Sequence, residues 1–377
     1  MDVQVHTAQL HSALERGLHA MEHFGFLGSL DAVYLYGEGT ALTLTFDGGI
    51  RTLVLRVAGS VVTSGGIQLP LERFATIIAR LPATVVRLNT DASGQQIQMT
   101  SHNLDLTLRG KAISAAPALP SPVRWIALGH CSAQALANAL EQVGYAIGQN
   151  ERRPALNGTC FQVRSSQLLL TAADGFRLAH TGLVLHTPAE QPQDLIIGRN
   201  DVTILISLLN WVWSAVAILA LPSSGTILIH TADVDYAFRA MHEEYPDLSR
   251  SVPGIPNTSA VIATQSLRDM VQLIGCLGFL EGYGVFLELV PNTSSAPGRV
   301  ILTASTAEGV SVRGICEGLV EGQPRSFRLN TTYVMDALAV IRTTHVCIEM
   351  AEHENVLFLR PIGFPDDWHL IMPMKQP

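Results

Sequence analysis

The chain has 377 residues, 47% of them hydrophobic and only 15% charged, which excludes a largely disordered protein and supplies material for more than one packed core. Its formal net charge of −8 argues against a protein that coats nucleic acid electrostatically, but leaves room for a small basic surface on an acidic body. Nearly all the positive charge is arginine, Lys111 and Lys375 being the only lysines. Cys131, Cys160, Cys276, Cys316 and Cys347 are scattered with no CxxC pair, a pattern of reduced, buried thiols in a cytosolic protein rather than a disulfide or zinc framework. The opening MDVQVHTAQL lacks a basic stretch followed by an apolar run, so no signal peptide is expected and the localisation expected is cytoplasmic.

In chain order, a first helix is predicted over 8–21, with Leu10, Leu14 and Leu18 at helical spacing. LTLTFDGGIRT (42–52) reads as two strands joined by a glycine turn. GIQLP–LERFATIIARL reads as strand then helix, and VVRLN with IQMTSHNLDLTLRG as a closing strand pair. The same series then recurs. A helix over 132–147 carries Leu136, Leu140 and Val143, LLLTAADGFRLA (168–179) is the turn, LIIGR–NDVTILISLL is strand and helix, and VAILAL and TILIHTADVDYAFRAM close the unit. A third helix over 266–277 carries Leu267, Val271 and Ile274, followed by VILTASTAEGVSV, FRLN–TTYVMDALAVI, HVCIEM and NVLFLRPI. Ser132 and Ser266 are predicted N-caps. The glycine turns lie about 130 residues apart, too long a period for a solenoid and suited to repeated whole domains. The fold class is therefore α+β, with three domains of one design at 1–120, 121–253 and 254–377. The apolar run 204–222 approaches the length of a membrane span, but it aligns with a helix followed by a strand in both other copies, with the corner near Asn210–Ser214.

Catalytic signatures are sparse. There is no GxxxxGK[ST], no HExxH, no metal-ligand spacing among the thirteen histidines and no GxSxG. Asp174 precedes a glycine, as its counterpart Asp47 does, so a turn-forming role explains both. MHEEYPD (241–247) reads as a solvated loop. No enzyme, metal or cofactor is expected, and a reading built on Asp174, His180 or Glu243–Glu244 as catalytic groups has only the presence of titratable side chains behind it. Arg16, Arg73, Arg80, Arg152, Arg153, Arg199, Arg268 and Arg342 lie on or beside helices, where they would make a thin basic lining if those helices faced one surface.

RRPALNGTCFQV…LLLTAADGFRLAHTGL, EYPDLSRSVP, LNTTYVMDAL and the terminal HLIMPMKQP, in that order and in register with the repeat, resemble the bacterial DNA polymerase III β subunit, the sliding clamp family. The chain is identified as a divergent member. The resemblance implies the DNA clamp fold, with helices lining the inside, antiparallel sheets outside and a ring formed by a head-to-tail homodimer. It implies a processivity factor that encircles double-stranded DNA. The partners implied are the replicative polymerase catalytic subunit, the clamp loader and other proteins with short clamp-binding motifs, with no membrane. The client-peptide pocket it implies, between the second and third domains, comprises Leu156, Gly175, Phe176, Arg177, Leu178, Pro246, Arg250, Leu370, Ile371, Met372, Pro373 and Met374. Arg177 and Arg250 would bond peptide carbonyls or carboxylates at its rim. DNA-facing residues would be Arg152, Arg153, Arg199, Arg73 and Arg80. The dimer interface would join Phe74 and Leu104, Leu106 and Leu108 to Cys276 and Leu277. Departures from the family pattern, Phe176 for a histidine, Leu248 for a tyrosine, Ser251 for a valine and the Lys375–Gln376–Pro377 ending, bear on client preference. The alternative is a divergent clamp paralogue that binds partner peptides without encircling DNA.

Overall fold

The structure is a computed structural model that describes residues 1–22, 32–117, 119, 125–150, 152–248, 256–278, 284–305, 311–350 and 356–374. The chain forms two compact units. One comprises Met1–Ala137, Val163–Gln167 and Val184–His242, the other Asn138–Gln162, Leu168–Leu183 and Glu243–Pro377. Six α-helices are described: α1 (Thr7–Glu22), α2 (Leu71–Ile78), α3 (Ala133–Gly144), α4 (Arg199–Leu209), α5 (Thr264–Gly278) and α6 (Thr331–Val340). None is long and apolar enough to cross a membrane. The run 204–222 divides as expected, α4 ending at Leu209, Asn210 capping it and a strand running from Ala215 to Leu221.

In the first unit a 13-stranded antiparallel sheet runs through Ile126–Ser132, Ala215–Leu221, Thr226–His230, Val234–Arg239, Thr52–Thr63, Asp2–His6, Val85–Thr90, Gln96–Ser101 and Leu104–Arg109. Four further strands branch from this path. Helix α1 buries Leu10, Leu14 and Gly17. Gly17 has a packing reason, because a Cβ there would meet the Phe46 ring at 2.1 Å. Helix α2 buries Leu71, Phe74, Ala75 and Ile78, the i, i+3, i+4, i+7 stripe of a core-facing helix. Phe74, expected at a dimer interface, is therefore a core residue with 0% exposure.

In the second unit, Arg177–Val184 pairs with Trp368–Ile371, and the sheet continues through Leu357–Pro361, His345–Met350, Thr258–Ala263, Ser311–Gly322, Gly298–Ser305, Gly284–Val290 and Arg325–Asn330. Its main core gathers Leu267, Val271 and Ile274 of α5, Val334 and Leu338 of α6, and Val285 and Leu287 of the sheet. Ser132 caps α3 as predicted, its Oγ accepting from Ala135 N at 3.0 Å. Ser266 does not cap α5. The strand Thr258–Ala263 runs directly into the helix, which begins two residues earlier at Thr264, and Thr264 N donates to Thr344 O.

The ladders repeat at an interval of 130 residues. Val86, Val216 and Val346 face Val5, Cys131 and Ile262, and Met99, Ile229 and Leu359 face Leu88, Ile218 and Ile348. One strand further, they face Leu106, Tyr236 and His369. Two of these last strands find a further neighbour: Tyr236 pairs with Leu53 in the first unit, and His369 with Ala179 in the second.

At the first of these junctions a buried ion pair locks the joint. Arg51 donates from Nε to Asp201 Oδ1 at 2.6 Å and from Nη2 to Oδ2 at 2.9 Å, and Tyr236 Oη donates to the same carboxylate at 2.6 Å. The bond to Asp201 raises the Arg51 pKa above its ordinary value despite burial. Removing one member of such a pair strands the other in a dry site. Asp201→Ala is expected to lose about 3–5 kcal/mol of stability in urea unfolding. Arg164→Ala, at the exposed pair with Asp194, is expected to lose less than about 1 kcal/mol.

Candidate functional site

The Asp174–Arg177 turn is held by its own first residue. Asp174 Oδ1 accepts from Phe176 N at 2.8 Å and Arg177 N at 3.0 Å, while Gly175 takes φ +98°, a conformation costly for any residue with a Cβ. Asp47 does the same for Gly49 N at 3.0 Å, so both aspartates are turn formers. His180, the other catalytic candidate, is bonded to Thr171 Oγ1 at 2.8 Å and stacked on Trp368, and burial lowers its pKa.

The turn throws its two large side chains to opposite fates. Phe176 is 61% exposed. Arg177 is folded back, 13% exposed, with Nε donating to Asp174 Oδ2 at 2.9 Å and Nη1 to Asp336 Oδ2 at 2.5 Å. Its guanidinium lies 4.5 Å from the Tyr333 ring centroid and 5.2 Å from that of Tyr145. Burial opposes the charge, but the bonds to Asp336 and the field of Asp174 outweigh it and hold the pKa above the ordinary value. Arg177, expected to meet a peptide at the rim, is instead committed to two carboxylates and positions the turn. Tyr333 and Asp336 were not anticipated, yet their i, i+3 spacing on α6 puts them on one helix face.

Behind the turn lies a small apolar cluster of Leu156, Ala173, Leu178, Phe358, Trp368 and Leu370, with Tyr245 and Leu248 partly buried against it. Above it Phe176, Pro246 and Met372, the last 46% exposed, meet solvent, and Pro373 and Met374 are half-buried. The backbone ties the rim together, Met372 N donating to Phe176 O at 2.8 Å and Met374 N to Arg328 O at 2.8 Å. Of the expected pocket wall, the structure brings Leu156, Leu178 and Leu370 into one cluster and ties Phe176 to Met372, while Arg177 is turned inward. Ile371 also departs: neighbours on a strand point to opposite faces, so while Leu370 joins this cluster Ile371 enters the main core of the unit. Arg250 lies outside the described residues.

Arg152 and Arg153 are exposed in the turn before Pro154, and Arg153 Nη1 would lie 3.8 Å from a Cβ on Gly175, which puts it beside this rim. Arg73 and Arg80 are exposed at α2, and Arg199 opens α4 half-buried. Other arginines of the expected lining hold helices in place. Arg268 donates to Leu338 O and Ile341 O at the end of α6, Arg342 to Asn138 and Glu141, and Arg16 stacks over Trp211 at 5.1 Å. Among the described residues Leu104–Arg109 is an edge strand whose Leu104 is 48% exposed, with Leu106 exposed and Leu108 half-buried. Cys276 and Leu277 fall in the last turn of α5, where the side chains lie outside the described residues.

One buried group makes this region pH-sensitive. His369 Nδ1 is bonded to Tyr145 Oη at 2.9 Å, and its Nε2 is buried with no partner among the described residues, so the protonated ring would hold an N–H there with no acceptor among them. Burial pushes its pKa down to about 3 from the ordinary 6.5. The unfolded chain takes up the proton first, so this group costs stability as pH falls below about 6.5 and is silent above it. In urea unfolding between pH 7 and pH 5, His369→Gln is expected to lose about 2 kcal/mol less stability than the unsubstituted chain.

Residues 130–247 match the family described as DNA polymerase III beta subunit, central domain. The beta sliding clamp of Staphylococcus aureus is 26% identical over 319 residues, 84% of this chain and 81% of that protein. Among solved structures, the DNA polymerase sliding clamp from Bacillus subtilis superimposes over 100% of both chains with a TM-score of 0.87 at 19% identity. The sliding clamp from Pseudomonas aeruginosa bound to griselimycin does so with a TM-score of 0.85 at 21% identity. The chain therefore has the fold of solved sliding clamps over its whole length, its residues 130–247 match the central domain of the DNA polymerase III beta subunit family, and across 84% of its length it is similar to a beta sliding clamp.

Proposed function

We propose that this protein is a DNA sliding clamp. It is a non-catalytic processivity factor of the cytoplasm whose homodimeric ring encircles duplex DNA and tethers the replicative polymerase and other clients. The observation that carries this reading is the recurrent strand junction. Leu106, Tyr236 and His369 occupy one position of the repeat; two of the three are paired onward, and Leu106 stands on a strand with one edge open among the described residues. The complementary edge is open too. Leu69 and Leu329, each two residues before the second helix of its repeat, face Val33 and Val285. Following the ladders outward from there carries Leu53 onto Val312. Over residues 311–318 the strand Ser311–Gly322 is paired only with Gly298–Ser305 among the described residues.

Joining Leu106 to Val312 of a second copy repeats the existing junction and removes two open edges, which are otherwise templates for misassembly. The register also sets Asp105 opposite Arg313, a favourable cross-strand charge pair. Two such joints close a head-to-tail dimer. On this reading the domains divide at 1–120, 121–253 and 254–377, and the unit boundaries fall inside the middle domain because that domain is paired to a neighbour on either side. Holding DNA by topology also fits a chain of net charge −8: many phosphate contacts would add drag and salt dependence, and a few arginines at the helices suffice to centre the duplex.

The apolar cluster at Leu156, Leu178 and Leu370, with Phe176 and Met372 exposed above it, is the client site. Flexible thioether side chains give it an adaptable rim for short hydrophobic motifs. Griselimycin occupancy of the Pseudomonas clamp supports a ligand-binding role for this fold. The departures at Phe176 and the tail also permit a paralogue that binds peptides only, and topology separates the two. Once loaded by its cognate loader on nicked circular duplex, the protein is expected to stay bound through gel filtration in high salt and to be released when the circle is linearised. Peptide binding with no salt-resistant retention on the circle would favour the paralogue.

A further inference from the structure

We propose that the first strand junction carries a second peptide site, one that takes a short acidic segment of a partner protein. A cavity of about 390 Å³ lies there, its wall including Ile50, Thr52, Leu221, Ala237 and Arg239. That volume is at the small end of ligand pockets and fits a side chain with its neighbouring backbone. The cavity stands in the same place as the client site, one junction earlier. Thr52 pairs with Ala237 as Leu178 pairs with Leu370, and Ile50 precedes Arg51 as Phe176 precedes Arg177.

The chemistry of the wall is different. Where the second junction has Leu178, Leu370 and Met372, the first has Thr52, Ala237 and Arg239. Loss of the large side chains leaves open volume, and one position is now a cation. The Arg239 side chain is exposed, and among the described residues no carboxylate lies within ion-pair distance of it. The Asp47 carboxylate, also on the wall, does not serve Arg239: its Oδ1 accepts from Gly49 N at 3.0 Å and from Thr52 Oγ1 at 3.4 Å within its own turn. Ser224 and Thr226, also on the wall, bond each other at 2.6 Å. An aliphatic wall at Ile50 and Leu221 with one unanswered guanidinium at its edge suits a peptide that places a carboxylate next to an aliphatic side chain. The client-site reading enters only as a comparison, so the cavity and Arg239 stand whether or not Met372 meets a peptide.

The test is methyl NMR on the full-length protein, labelled at isoleucine and methionine methyls. It is titrated with acetyl-Gly-Leu-Asp-Leu-Glu-amide and with the uncharged acetyl-Gly-Leu-Asn-Leu-Gln-amide. The acidic peptide is expected to shift the Ile50 methyl, the amide analogue to bind at least tenfold more weakly, and Arg239→Gln to weaken the acidic peptide about tenfold. The idea is overturned by an unmoved Ile50 at millimolar peptide, by equal affinity for the two peptides, or by a shift confined to the Met372 methyl. It is equally overturned by an Arg239→Gln variant that binds as the unsubstituted chain does. A hydrophobic Gln-Leu-Ser-Leu-Phe peptide that fails to move the Met372 methyl would count against the client site and leave this one standing.

Discussion

A strand edge buried without partners is expensive, because each amide and carbonyl it strands has lost water and gained nothing. The architecture answers this cost the same way each time it arises. The last strand of one repeat lies along the turn-proximal half of a strand in the repeat before it, Tyr236 against Leu53 in one unit and His369 against Ala179 in the other. Within each unit the sheet therefore does not stop at the repeat boundary, and the strands on either side of it are joined by backbone hydrogen bonds. The two strand edges left open among the described residues, Leu104–Arg109 and the first part of Ser311–Gly322, lie towards opposite ends of the sequence, and the proposed third joint pairs them between two copies.

Each joint is fastened by an arginine that follows the turn. Arg51 meets Asp201 and Tyr236; Arg177 meets Asp174 and Asp336 between two tyrosine rings. The two solutions share a purpose and differ in reach. At Arg177 the partners come from the turn itself and from α6, so the rim that bears Phe176 is coupled directly to a helix. Holding the arginine inside leaves an apolar surface outside, where Phe176 and Met372 stand exposed and their side chains can change without disturbing the joint. The first junction illustrates this freedom: the same backbone register presents Thr52, Ala237 and Arg239 in place of three apolar side chains.

Much of this was legible in the sequence. The 130-residue interval, the division of 204–222 into helix and strand, the Asp-Gly turns and the apolar group around Leu156, Leu178 and Leu370 follow from periodicity, turn chemistry and family motifs. What was not legible depends on where side chains point in three dimensions. Phe74 sits on a helix that also shows charged residues, and only the packing decides that it belongs to the core. Ile371 differs from Leu370 by one step along a strand, and a step of one reverses the face. Arg177 carries the same charge whether it faces a peptide or Asp336, and the deciding residue lies 159 positions away. Arg268 and Arg342 likewise read as a basic lining until their carbonyl and carboxylate partners are seen.

The central claim, that the open strand Leu104–Arg109 meets Ser311–Gly322 of a second copy in the register of the two existing joints, is tested most directly by disulfide trapping. A chain carrying Leu106→Cys and Val312→Cys is predicted to oxidise to a covalent dimer on a non-reducing denaturing gel, with neither substitution sufficient alone. A covalent dimer formed equally by Leu106→Cys alone would mean that like edges meet across a twofold axis, and a chain that remains monomeric under oxidation would mean that these edges do not meet at all; either result contradicts the account.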